Sequence, residues 1–408
     1  MSDFLKQDRL ANLGYFAIGK EATRGVPVAP TVAVPLYEEN LLTNLNLDMD
    51  NPIMGNRFAR YFNFKGQRDH KGTLKVLAEP KTLPHFINMI LDKGVTSVSG
   101  GVYTHPYTLG NQSEASYTIE ILKGDILYRY FGVEVGQLSP IFEDNVLKLS
   151  LAVSALGQFS IAPIASASGS SANNITLSTE YSDTPNKGIV TGDKLILVKV
   201  SAGTSDSYEE VTVSGVNANG TQVSVGSIVG TYTALDYCYI KQQTITPTLG
   251  EPLKWSGTQF CFGATAAAAL TATHTPVEKG STFEIMNNFE DESGAKRSGS
   301  LDPTALVRAQ ADVNITIKKS FNDYVDYERF LALRKRSLVI RLFGALISGS
   351  DKNELRITVN NMKVKNGPNP LTTGEIIYFE REYSPQYDTS DAQAFDVKVI
   401  NDVAGTSY

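Results

Sequence analysis

The chain reads as one pattern written twice, and that repeat limits the fold more than any other feature. Laid over one another, residues 36–155 and 278–402 each give a strand, a long polar loop, a strand, a helix and a further run of strands. In each loop acidic residues come first and basic ones follow: Asp48 and Asp50, then Arg57 and Arg60; Glu290, Asp291 and Glu292, then Lys296 and Arg297. Lys71-Gly-Thr-Leu-Lys-Val-Leu77 falls where Gln310-Ala-Asp-Val-Asn-Ile-Thr-Ile317 falls. The helix around 83–91 matches the one around 327–333. A duplicated chain of 408 residues is expected to form two similar domains, each with its own core.

Within each copy the periodicity is mostly that of strands. Ala311, Val313, Ile315 and Ile317 alternate with Asp312, Asn314, Thr316 and Lys318, so one set faces a core and the other faces water. Composition agrees: 33 Gly, 19 Tyr and 18 Phe accompany only 20% charged residues, a balance suited to strands and turns. Leu83, Phe86, Ile87, Ile90 and Leu91 recur at helical spacing and predict a helix over 80–91. A second helix is expected over 322–335, with Asn322 or Asp323 as N-cap and basic residues in its last turn. Residues 162–246 break the pattern. A low-complexity hinge at 165–172 leads into short strands at roughly ten-residue spacing, the signature of a small all-β unit. Residues 1–35 carry a short strand candidate at 15–19 and a Gly- and Pro-rich stretch, and read as an arm that packs on a neighbour. The expected fold class is mainly β. It comprises two tandem β-sandwich domains (36–161 and 247–408), each with one flanking α-helix, and an inserted small all-β module (162–246).

No chemistry declares itself. His70, His85, His105 and His274 share no metal-ligand spacing, and no cysteine lies near them. Cys238 and Cys261 sit in Tyr-Cys-Tyr and Phe-Cys-Phe settings and read as buried thiols. There is no glycine-rich phosphate loop and no Gly-x-Ser-x-Gly elbow. The carboxylate pairs are adjacent or on predicted loops, which suits solvated charge. A glycosidase pair that meets only in space stands as the least favoured reading. The net charge of −6 argues against a broad basic surface for nucleic acid. The aromatic and basic mixture over 57–68 has acidic neighbours, which points to a protein contact of complementary charge. No signal-peptide pattern and no run of 18 apolar residues occurs. No catalytic residue, metal or cofactor is expected.

Four short strings carry a likeness. Gly19-Lys-Glu-Ala-Thr-Arg-Gly-Val-Pro-Val-Ala-Pro30 resembles the opening of the tail tube proteins of long-tailed, siphovirus-like phages. Tyr103-Thr-His-Pro-Tyr-Thr108 followed by Ser116-Tyr-Thr-Ile-Glu120 is similar to a paired motif of that family. Val397-Lys-Val-Ile-Asn-Asp402 resembles its closing strand. The likeness runs in order through 15–160 and 250–403 and leaves out the inserted module.

The resemblance implies a structural virion protein, assembled in the host cytoplasm. Three chains, each with two tube domains, would complete a ring of pseudo-sixfold symmetry, and rings would stack into a tail tube. Its partners would be further copies of itself, a tape measure protein, tail tip and terminator proteins, and double-stranded DNA passing without specific binding; no membrane is involved. With four strands per domain, about 24 strands at ~40° tilt give a barrel of roughly 45–50 Å, and a bore on the order of 35–40 Å. The loops 48–69 and 288–304 would stack adjacent rings through Asp48, Asp50, Arg57, Arg60, Arg68, Glu290, Asp291, Glu292, Lys296 and Arg297. Asp312, Asn314 and Thr316 are candidates to face water or the lumen. The module would decorate the outside, so its deletion over 166–244 is expected to leave assembly intact. The competing reading is a β-rich surface-binding protein, an adhesin or carbohydrate-binding module, that forms no tube.

Overall fold

A computed structural model describes residues 14–50, 62–110, 115–167, 173–182, 184–200, 207–243, 245–247, 250–289, 300–320, 325–365, 378–405 and 408. Strand makes up 57% of the structure and helix 6%, so the fold is mainly β. The first copy runs β1 (Tyr15–Lys20), β2 (Val32–Ala33), β3 (Leu36–Glu39), β4 (Leu42–Asp50), β5 (Phe62–Leu77), α1 (Leu83–Asn88), β6 (Asp92–Lys93), β7 (Ser97–Ser99), β8 (Val102–Thr108), β9 (Tyr117–Lys123), β10 (Ile126–Glu143), β11 (Val146–Ala155) and β12 (Gly157–Phe159). The middle segment gives β13 (Ile161–Ser166), β14 (Asn174–Leu177), β15 (Lys194–Lys199), β16 (Ser207–Val216), β17 (Gln222–Val225) and β18 (Tyr237–Ile240). The second copy gives β19 (Thr258–Gly263), α2 (Ala266–Leu270), β20 (Thr282–Phe289), β21 (Arg308–Ser320), α3 (Val325–Leu331), β22 (Arg336–Ser348), β23 (Asp351–Val364), β24 (Tyr378–Pro385) and β25 (Phe395–Asn401).

Alternation builds the core. Leu147, Leu149, Leu151, Val153 and Ala155 of β11 are buried, while Lys148 and Ser150 between them are only half-buried. The β10–β11 hairpin turns through Asp144 and Asn145, both at positive φ, a two-residue turn whose twist matches the flanking strands. Gly72 sits where a Cβ would lie 2.4 Å from the Leu41 Cα, so only glycine lets the chain between β3 and β4 cross β5 this closely.

The two copies share six strand pairings. β1–β9, β4–β5, β5–β11, β9–β10, β10–β11 and β10–β12 correspond to β19–β22, β20–β21, β21–β24, β22–β23, β23–β24 and β23–β25. Each copy is thus a two-layer sandwich. β10 and its counterpart β23 are long strands that pass from one layer into the other. The match begins before residue 36, because β1 and β19 are also counterparts.

The middle segment closes on itself as a six-stranded barrel in the order β13-β14-β17-β16-β15-β18. Its core holds Ile164, Ile175, Leu195, Leu197, Val211, Val223 and Cys238, and it takes in Leu127 and Phe159 from the first copy.

Several expectations are corrected. Residues 15–20 are no arm: Phe16, Ala17 and Ile18 are core residues, and β1 is hydrogen-bonded to both β2 and β9. The segment 103–108 is the strand β8, with Pro106 inside it. Helix α1 is shorter than 80–91. Its last turn tightens through Met89 N–H to Phe86 and Ile90 N–H to Ile87. Helix α3 stops at Leu331, and Leu333 two residues on takes φ of +51°, which no helix continues through. Its expected N-cap, Asn322 or Asp323, lies outside the described residues.

Candidate functional site: a polar sheet face with two unlike edges

One layer of each sandwich joins the other across the repeat. Leu138 of β10 pairs with Ile285 of β20, and Gln137 with Met286. The result is a continuous sheet in the order β4-β5-β11-β10-β20-β21-β24-β23. It has two ends. β4 pairs with β5 alone, and Lys363 and Val364 of β23 pair with β24 alone, among the described residues. Edge strands with unpaired backbone groups are templates for another chain. These two edges are not alike, because one belongs to each copy.

The internal junction is built around Arg308. Its guanidinium donates to the carbonyls of Val135 (2.7 Å), Asn287 (2.7 Å) and Met89 (3.0 Å) and pairs with Glu134 at 3.0 Å. Asn287 donates to the Ile90 carbonyl at 3.0 Å. The second copy therefore satisfies the carbonyls at the end of α1. On the sheet's outward face, Gln137 and Ser139 donate to Glu284 across the same junction, at 2.5 and 2.8 Å. Burial pushes the Glu284 carboxyl up, but the hydrogen bonds from Ser139, Gln137 and Asn314 outweigh it and hold the pKa below the usual range. The other sandwich layer is joined too: β25 pairs with β8 of the first copy from Asp396–Thr108 to Asn401–Tyr103.

The strings that carried the resemblance are structural pins. Glu21 is buried. It accepts from Gly25 N–H (2.8 Å) and Ser116 Oγ (2.7 Å) on one oxygen, and from Thr118 Oγ1 (2.9 Å) and Gly132 N–H (2.8 Å) on the other. His105 and Asn401 meet at 3.0 Å across β8–β25, and Asn401 reaches on to the Pro80 carbonyl at 2.9 Å. Glu120 meets Arg129, which also grips Asp193 in the inserted barrel; the three side chains are fully buried, with contacts of 2.5–2.8 Å. Desolvation drives the Glu120 carboxyl up, partly offset by Arg129. An arginine on the same side of β10 as Leu127 and Phe131 was the sequence signal for this cluster, since a cation there needs buried acids.

The outward face of the eight-stranded sheet is polar. Glu143 bridges Lys75 and Lys148, and Lys75 also reaches Glu38 at 3.6 Å. Lys148 and Lys75 hold the Glu143 carboxyl below its usual range. Lys365 lies 3.7 Å from Glu382. Asp312 and Asn314 are exposed on this face and Thr316 is half-buried. Asp48 and Asp50 lie in β4 and Arg68 in β5, so these three are strand residues rather than loop residues: the hairpin ladder runs on to Asp50–Phe62. Arg68 approaches Asp302 at 3.7 Å. Arg57, Arg60, Glu290, Asp291, Glu292, Lys296 and Arg297 lie outside the described residues.

The histidines and thiols are built into the scaffold. His274 accepts from Phe260 N–H, His70 bonds Thr43, and both cysteines are buried and free. Burial pushes the Cys238 thiol up to about 12. Among the described residues no group of His, Cys, Asp and Glu is placed to hold a metal, and no helix is long and apolar enough to cross a membrane. No protein-family model matches the chain, and no curated protein matches it.

Proposed function

We propose that this chain is a self-assembling structural subunit of a hollow tube, of the phage tail tube kind, with three chains per ring and rings stacked around a passive conduit for DNA. The observation that carries this reading is the continuous sheet made of two equivalent four-stranded units, with one unlike edge left at each end. Repeating the β10–β20 junction between chains would extend that sheet, and closing it would leave no edge unpaired. The polar outward face suits a bore: its lysines at 75, 148 and 365 are neutralised by carboxylates, which weakens any grip on phosphate. The barrel of residues 161–240 would then sit outside the bore.

The test is sedimentation velocity over a wide concentration range, followed by negative-stain microscopy. This reading expects concentration-dependent rings and tubes. A monomer at every concentration that binds immobilised glycans would support the surface-binding reading instead.

A further inference from the structure

Helix α1 and helix α3 occupy matching places in the two copies but have opposite surroundings. All six residues of α1 are buried, as are Met89, Ile90 and Leu91 just beyond it. Part of that cover comes from the other copy. Asn287 and Arg308, on β20 and β21, bond the carbonyls at its end, while Asn401 of β25 and Tyr408 bond the carbonyls of Pro80 and Lys81 before its start. So α1 lies against the side of the second sandwich between β20 and β25. Helix α3 stands more open to solvent. Phe330 packs on its own core, but Leu331 is 63% exposed and Leu333 is 62% exposed.

The first sandwich has a matching open side, between β4 and β12, the counterparts of β20 and β25. There a cleft of about 640 Å³ opens. Leu45, Tyr128 and Phe159 line it with Arg68 and Gln158, and Tyr181, Pro185 and Lys187 of the inserted segment line its other side. Leu45 is 62% exposed. In the second copy the ladder counterpart of Leu45, Phe289, lies against the first copy. Arg68, opposite Leu45, stands where Arg308 stands opposite Phe289. The Gln158 amide nitrogen is buried in the cleft wall with no hydrogen-bond partner.

We infer that this cleft is the seat for helix α3 of a second copy of the chain, with Leu331 and Leu333 entering it beside Leu45, Tyr128 and Phe159. The same repeat fixes the strand register beside it. The row Leu138–Leu151–Leu74 corresponds to Val364–Tyr383–Ile315. Lys363 of one copy therefore pairs with Leu42 of the next, as Gln137 pairs with Met286. The interface is head-to-tail: every chain offers one cleft and one helix. The inference rests on the self-assembly reading and adds to it which surfaces meet.

Two variants test it. Leu45→Asp spoils the cleft, and Leu331→Asp with Leu333→Asp spoils the helix. All three side chains are exposed in the single chain, so both variants should fold and melt like the wild type. Each alone should sediment as a monomer, with its assembly threshold raised by about 100-fold or more. Mixed one to one, they should form a dimer and nothing larger, because the intact helix of the first fits the intact cleft of the second. Assembly of either variant at the wild-type threshold, or a mixture that stays monomeric while the wild type assembles, overturns the seat and leaves the tube reading standing. A wild type that never assembles overturns both.

Discussion

Single residues show how unevenly the sequence exposes its own logic. The alternation in 311–318 and the helical spacing of Leu83, Phe86, Ile87, Ile90 and Leu91 are legible, because burial follows directly from period. The buried ion cluster of Arg129, Glu120 and Asp193 is not, since its members are 9 and 64 residues apart and meet only through the fold. Arg129→Met would leave two carboxylates buried without their cation and should cost about 3–5 kcal/mol, read as a drop in the denaturation midpoint. An unchanged midpoint would mean that the cluster is solvated. His85 offers a pH test. Burial, helped by Lys20 and Lys93, lowers its pKa from 6.5 to about 4. The unfolded chain takes up this proton at the higher pH, so stability is full above about 6.5 and falls as pH drops toward 4, by about 3 kcal/mol in all. The difference between the wild-type and His85→Gln stability profiles should show this slope in that window. A flat difference would contradict it.

Elements were easier to place than their ends or their neighbours. The strands of both copies and of the inserted unit follow from apolar alternation and turn residues. The strand character of 103–108 was hidden by Pro106, and that of 258–263 by a short run with no alternating partner in view. The module's role changes most. As a surface decoration it should be removable, yet deletion of 166–244 takes away Asp193 and uncovers Leu127 and Phe159, which belong to the barrel's core. The deletion should therefore lower the melting temperature of the remaining chain by several degrees, and adding Arg129→Leu with Glu120→Leu should recover much of the loss. A deletion variant that melts like the wild type would show the module to be independent.

At the scale of the whole molecule, the duplication does two things at once. It builds one internal junction, and it leaves that junction's two halves unused at opposite ends of the sheet. The repeat was visible in element order, whereas the six shared pairings and the eight-stranded sheet needed the fold, because pairing is set by contacts between residues far apart in sequence. A chain with one donor edge and one acceptor edge assembles without limit unless it closes; on the proposed reading, three chains of two equivalent units each would close a sixfold ring. The inserted barrel, present once per chain, should mark that ring with three outer protrusions around six inner units. End-on electron microscopy of the assembled protein tests this most directly. The account predicts an open central channel on the order of 35–40 Å, bounded by about 24 strands, with three protrusions outside. Particles with a filled centre, or with twofold symmetry and no channel, would contradict it.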